Sequence, residues 1–100
     1  MRTPRPPLEI ELAAERAGAL GRSGRRLQSA LDRLREFDRC AGPEQPDSPV
    51  RARLVDVAAQ ALWCHIVQRE SLGLTEADRV AADYGVSREV LRRVGVYLRR

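Results

Sequence analysis

From residue 10 to residue 34, an apolar or small side chain recurs at alternating steps of three and four: Ile10, Ala13, Ala17, Leu20, Gly24, Leu27, Leu31 and Leu34. Only an α-helix, at about 3.6 residues per turn, gathers these positions into one stripe, and strand alternation does not fit them. The stripe predicts one helix over roughly residues 8–40, about 50 Å long, packed along its seam on a neighbour. Its first half is small (Ala13, Ala17, Gly24) and its second half leucine, so the two axes converge at one end. Gly18, Gly21 and Gly24 each weaken the helix by about 1 kcal/mol relative to alanine. The seam keeps its register across all three, which argues against a kink.

Residues 1–7 are rich in Pro and Arg and read as a disordered tail ahead of a single all-α domain over 8–100. The stretch Ala41-Gly42-Pro43-Glu44-Gln45-Pro46-Asp47 predicts a loop. Ser48-Pro49 then opens a second helix, with Ser as N-cap and Pro at the first helical position. Within that helix (about 48–72), residues Val55 to Val67 are apolar nearly all round, so neighbours are expected on more than one side. Gly73 ends it. Thr75-Glu76-Ala77-Asp78 resembles a capping box for a short third helix (about 75–84). Gly85 closes that helix, and Ser87 caps a fourth (about 87–98). The expected architecture is a long antiparallel helical hairpin followed by two short helices in a helix-turn-helix-like corner.

All 18 basic residues are Arg, and the formal net charge is +4. An exclusive use of Arg reads as the codon composition of a GC-rich genome, and +4 is small for a nucleic-acid binder. Charge placement matters more, because residues 88–100 hold five Arg against Glu89. Two cysteines, Cys40 and Cys64, make no disulfide framework. With no secretory signal and no window near the ~18 apolar residues of a membrane span, a cytoplasmic protein with reduced thiols is expected.

Three blocks carry a family resemblance. The first is Leu8-Glu9-Ile10-Glu11 through Glu15-Arg16-Ala17 and Leu20-Gly21-Arg22-Ser23-Gly24-Arg25-Arg26-Leu27. The second is Trp63 with Val67-Gln68-Arg69-Glu70 and Gly73-Leu74. The third is Asp83-Tyr84-Gly85-Val86 with Arg88-Glu89-Val90-Leu91. Their order over nearly the whole chain resembles a family of small, uncharacterised bacterial proteins. The resemblance implies an all-helical protein of no assigned function and brings no catalytic or binding residues with it. Members often have Pro where this chain has Ser87. Either residue starts a helix, which detracts from a DNA-reading role there.

The corner offers the sharpest functional hypothesis. Ala81 at the crossing, Gly85 at the turn and Val80, Tyr84, Val86, Leu91 and Val94 inside match helix-turn-helix spacing. Arg88, Arg92 and Arg93 would then face duplex DNA. The bland reading uses the same residues, because any tight corner needs a Gly, a cap and an apolar stripe. Arg22, Arg25, Arg26, Arg33, Arg35 and Arg39 interleave with Asp32, Glu36 and Asp38, as on a solvated helix face.

Glu9, Glu11, Glu15 and Glu70 have no His or Cys at metal-ligand spacing, and no phosphate loop or nucleophile motif occurs. Adjacent Cys64 and His65 point in different directions on a helix, as a buried thiol and imidazole would. No enzyme, cofactor, metal or small-molecule ligand is therefore expected. Trp63 is a core anchor or an interface hot spot. The favoured expectation is a protein–protein interaction module, a homo-oligomer using Leu27, Leu31, Leu34 or Trp63. The alternative is a DNA-binding regulator using Arg88, Arg92 and Arg93.

Overall fold

Four helices follow one another, and the computed structural model describes residues 7–41, 48–74 and 76–98. They are α1 (Pro7–Ala41), α2 (Pro49–Ser71), α3 (Ala77–Tyr84) and α4 (Arg88–Leu98), with no strand among the described residues. The chain is all-α, with a long helical hairpin first and two short helices after it. Helix α1 runs without interruption through Gly18, Gly21 and Gly24, none of which takes a positive φ. Pro7, expected in the tail, is instead the first residue of α1, where its missing N–H costs nothing. The rest of the tail, the 42–47 loop and Thr75 lie outside the described residues.

α1 and α2 run antiparallel, with Asp38 against Arg51 at the loop end and Ser23 against His65 further along. α2 has 23 residues to the 35 of α1. By these pairings Ser71 comes level with about residue 17, and the first three turns of α1 project beyond it. This divides the seam. Leu27, Leu31 and Leu34 are buried, Leu20 is half-buried, and Ile10, Ala13 and Ala17 are exposed. A seam packed along its whole length is thus corrected to one packed over its leucine half, because α2 is too short to cover the rest. The molecule measures 67 × 26 × 20 Å.

α2 is the central element, packing on α1 and on α4 and more lightly on α3. Its Val55, Ala58, Ala59, Leu62 and Ile66 join Leu27, Leu31 and Leu34 of α1 with Val80, Val90 and Val94 in one hydrophobic cluster. Neighbours on two flanks explain why the helix is apolar nearly all round.

The helix ends follow backbone rules. The Ser48 carbonyl accepts the Ala52 N–H at 3.0 Å with Pro49 at the first position. The Ser48 hydroxyl makes no capping bond, so Ser48 caps through its backbone alone. Gly73 (φ 77°) closes α2, the Leu74 N–H reaching the Arg69 carbonyl at 2.9 Å. Among the described residues no helix is long and apolar enough to cross a membrane.

Candidate functional site

The α3–α4 corner is a three-residue turn. Gly85 adopts the left-handed conformation (φ 64°, ψ 42°), which an L side chain takes up only at a cost. The Val86 N–H donates to the Ala81 carbonyl at 2.9 Å and the Gly85 N–H to Ala82 at 3.1 Å, the paired bonds of a Schellman ending. Ser87 then starts α4, its carbonyl accepting the Leu91 N–H at 3.1 Å and its hydroxyl accepting the Val90 N–H at 3.4 Å.

One side chain departs from the sequence reading. Val90 and Val94, one turn apart, dock α4 on the core, while Leu91 is 40% exposed. Rotation by one residue turns Leu91 about 100° away from that contact. The anchor expected at Leu91 is supplied by Val90.

The three candidate arginines do not form one open cluster. Arg88 and Arg92 are exposed, but Arg93 turns back to pair with Asp56 of α2. Glu89, between them in sequence, is held by Arg51, whose side chain is only 16% exposed. That guanidinium bridges Asp38 of α1 at 2.8 Å and Glu89 of α4 at 2.7 Å, joining three helices. The Arg51 bond holds the Glu89 carboxyl below its ordinary range and raises the guanidinium's own already high value. Arg35 of α1 donates to the Tyr84 carbonyl at 2.7 Å and to Gly85 at 3.3 Å, a cation at the negative end of α3. Arg35 and Arg51 therefore act as clamps on the corner. Their role depends on long-range pairing that no local pattern in the sequence exposes.

A second constellation lies inside the hairpin. Ser23 and His65 are buried, with Oγ and Nδ1 2.7 Å apart. Ser23 Oγ also donates to the Leu20 carbonyl at 2.9 Å. A hydroxyl has one proton, so the arrangement satisfying both bonds has the imidazole Nδ1–H donating to Oγ. The Tyr84 ring stands edge-on to His65 at 5.6 Å. Among the described residues no carboxylate is hydrogen-bonded to the imidazole, and the two Ser23 bonds are those of a satisfied polar contact in the core. Gly24, one residue along, makes room for both rings. A small residue in a leucine seam was the one signal for them.

Burial, followed by the charge of Arg69, pushes the His65 imidazole below its usual value of 6.5. The unfolded chain therefore takes up this proton first as pH falls. The His65 contribution to stability is full above pH 6.5 and is lost on descending toward the lowered native value. Urea midpoints should drop between pH 7 and about 5 in the native sequence and drop less in a His65→Asn chain. Parallel pH profiles would refute this.

Away from the corner, Arg25, Arg26 and Arg33 of α1 and Val57, Ala61 and Cys64 of α2 line a groove of about 500 Å³. Cys64 thus faces this groove while His65 faces Tyr84, the two directions about 100° apart around α2. Both cysteines are free thiols, and Glu36 raises that of Cys40. Among the described residues no group of His, Cys, Asp and Glu is placed to hold a metal. Leu27, Leu31 and Leu34, considered as an interface, lie in the chain's own core with α2 covering them, and Trp63 is half-buried against that core.

The fold and these sites define a helical hairpin with a clamped two-helix corner. Comparison with protein-family models, curated proteins and solved structures finds no match to this chain.

Proposed function

We propose that the protein is a small non-enzymatic interaction module of the cytoplasm that associates with a second copy of itself. The observation carrying this reading is the apolar end of α1 beyond the reach of α2. Leu8 is 65% exposed, Ile10 57% and Leu12 48%. Three large apolar side chains within five residues are more than the scattered exposure ordinary on a surface, and they favour a partner. Light scattering at micromolar concentration should give twice the chain mass, and a strictly monomeric result would remove the proposal.

A DNA-binding corner is the weaker reading. It retains the three-residue turn and exposed Arg88 and Arg92, but Arg93 is engaged with Asp56. Salt-sensitive retention on duplex DNA, lost in an Arg88→Ala/Arg92→Ala chain, would reverse this ranking.

A further inference from the structure

A second stripe runs along α1, beside the leucine seam. Leu8, Leu12, Glu15, Ala19, Arg22, Arg26, Ala30 and Arg33 recur at steps of four and three, with Glu11 adjoining, and so share one flank of the helix. Its far end enters the groove formed with Val57 and Ala61. The flank facing the corner is different, being marked by Gly24 against Tyr84 and Arg35 against Gly85. The stripe therefore faces away from the corner: Leu8 and Leu12 are exposed on it, Val57 of α2 is exposed beside it, and Ala30 is buried at the floor of the groove.

Its charges are sorted by position. Residues 7–15 carry Glu9, Glu11 and Glu15 and no Arg, whereas residues 16–26 carry Arg16, Arg22, Arg25 and Arg26 and no acid. Among the described residues, Arg25, Arg26 and Arg33 have no carboxylate within ion-pair distance. Glu15 pairs with Arg22 of its own helix at 2.9 Å, both side chains being more than half exposed.

We infer that two copies pair antiparallel through this stripe about a dyad between Gly18 and Ala19. The inference rests on the self-association proposed above and specifies its surface. An isologous interface must be complementary to itself. A dyad at that point sets Glu15 opposite the partner's Arg22 and Glu11 opposite the partner's Arg26. It also carries Leu8 to the level of Ser29, over the apolar floor at Ala30, Val57 and Ala61. Gly18 and Ala19 at the crossing let the two axes approach closely. The existing Glu15–Arg22 pairs of the two copies converge at the dyad into one four-charge cluster. The pairing covers Leu8 and Leu12 of the projecting end of α1, which no other described element reaches, and supplies a carboxylate to Arg26 of the groove.

Two variants test the geometry together. One carries Glu11→Arg/Glu15→Arg and the other Arg22→Glu/Arg26→Glu. Each alone sets like charges against like and should be monomeric by sedimentation at concentrations where the native sequence is dimeric. Mixed in equal amounts they restore opposite charges at every facing pair and should form a heterodimer. Circular dichroism melting of each variant establishes that it is folded. A native dimer with both variants still dimeric overturns this surface while leaving self-association intact. A monomeric native chain overturns both. Folded monomeric variants that fail to pair on mixing overturn the antiparallel register.

Discussion

A Leu62→Ala chain is expected to lose about 2–5 kcal/mol of unfolding free energy. Leu62 is fully buried in the middle of α2, the helix that packs on both α1 and α4. Truncation removes apolar area from two interfaces at once, and surrounding helices held at both flanks cannot close the void. For a domain of this size the total is about 5–15 kcal/mol, so the loss would consume a large share. Urea unfolding should show a lower midpoint with an unchanged slope. Val50→Ala, at an exposed position of the same helix, should stay within about 0.5 kcal/mol. Equal losses at the two positions would contradict the central placement of α2.

The second large effect is expected at Gly24, where helix propensity and packing oppose each other. Alanine would gain up to about 1 kcal/mol of helix propensity. Its Cβ, however, would come within 3.0 Å of the Tyr84 hydroxyl and 3.3 Å of His65 Cε1. The Tyr84 tip can shift, so Ala should fall near neutral. Leucine cannot be accommodated that way, because its branches must occupy the space of the two rings. Gly24→Leu should cost about 1–3 kcal/mol by overpacking and disturb the Ser23–His65 bond. Gly95 has open space around it, so Gly95→Ala should be neutral or stabilising. A stabilising Gly24→Leu, measured by thermal melting, would contradict the close approach of α1 to Tyr84.

Much of this architecture was legible in the sequence. The step of three and four gave α1 its length, and the register outweighed three glycines, because helical φ and ψ cost glycine only entropy. Gly73, Gly85 and Ser87 marked helix boundaries through local backbone chemistry, which depends on nothing distant. The failures had a common cause. How much of the seam is covered depends on the length of α2 relative to α1. Which of Val90 and Leu91 turns inward depends on how α4 docks, since the two are adjacent and similarly apolar. Arg35, Arg51 and Ser23 are anonymous locally, and each acquires its role from a residue 38 or more positions away. At the candidate site the arginine pattern was visible, but the engagement of Arg93 by Asp56 was not.

The unequal lengths of α1 and α2 have one more consequence. Below about residue 17, α1 has no tertiary neighbour among the described residues, and a helix of some ten residues is marginal in water without one. In the proposed dimer, order in that segment becomes a bimolecular property, rising with protein concentration, while order in the hairpin stays unimolecular. One continuous helix would carry two kinds of stability, and dilution alone would melt its first turns without touching its last.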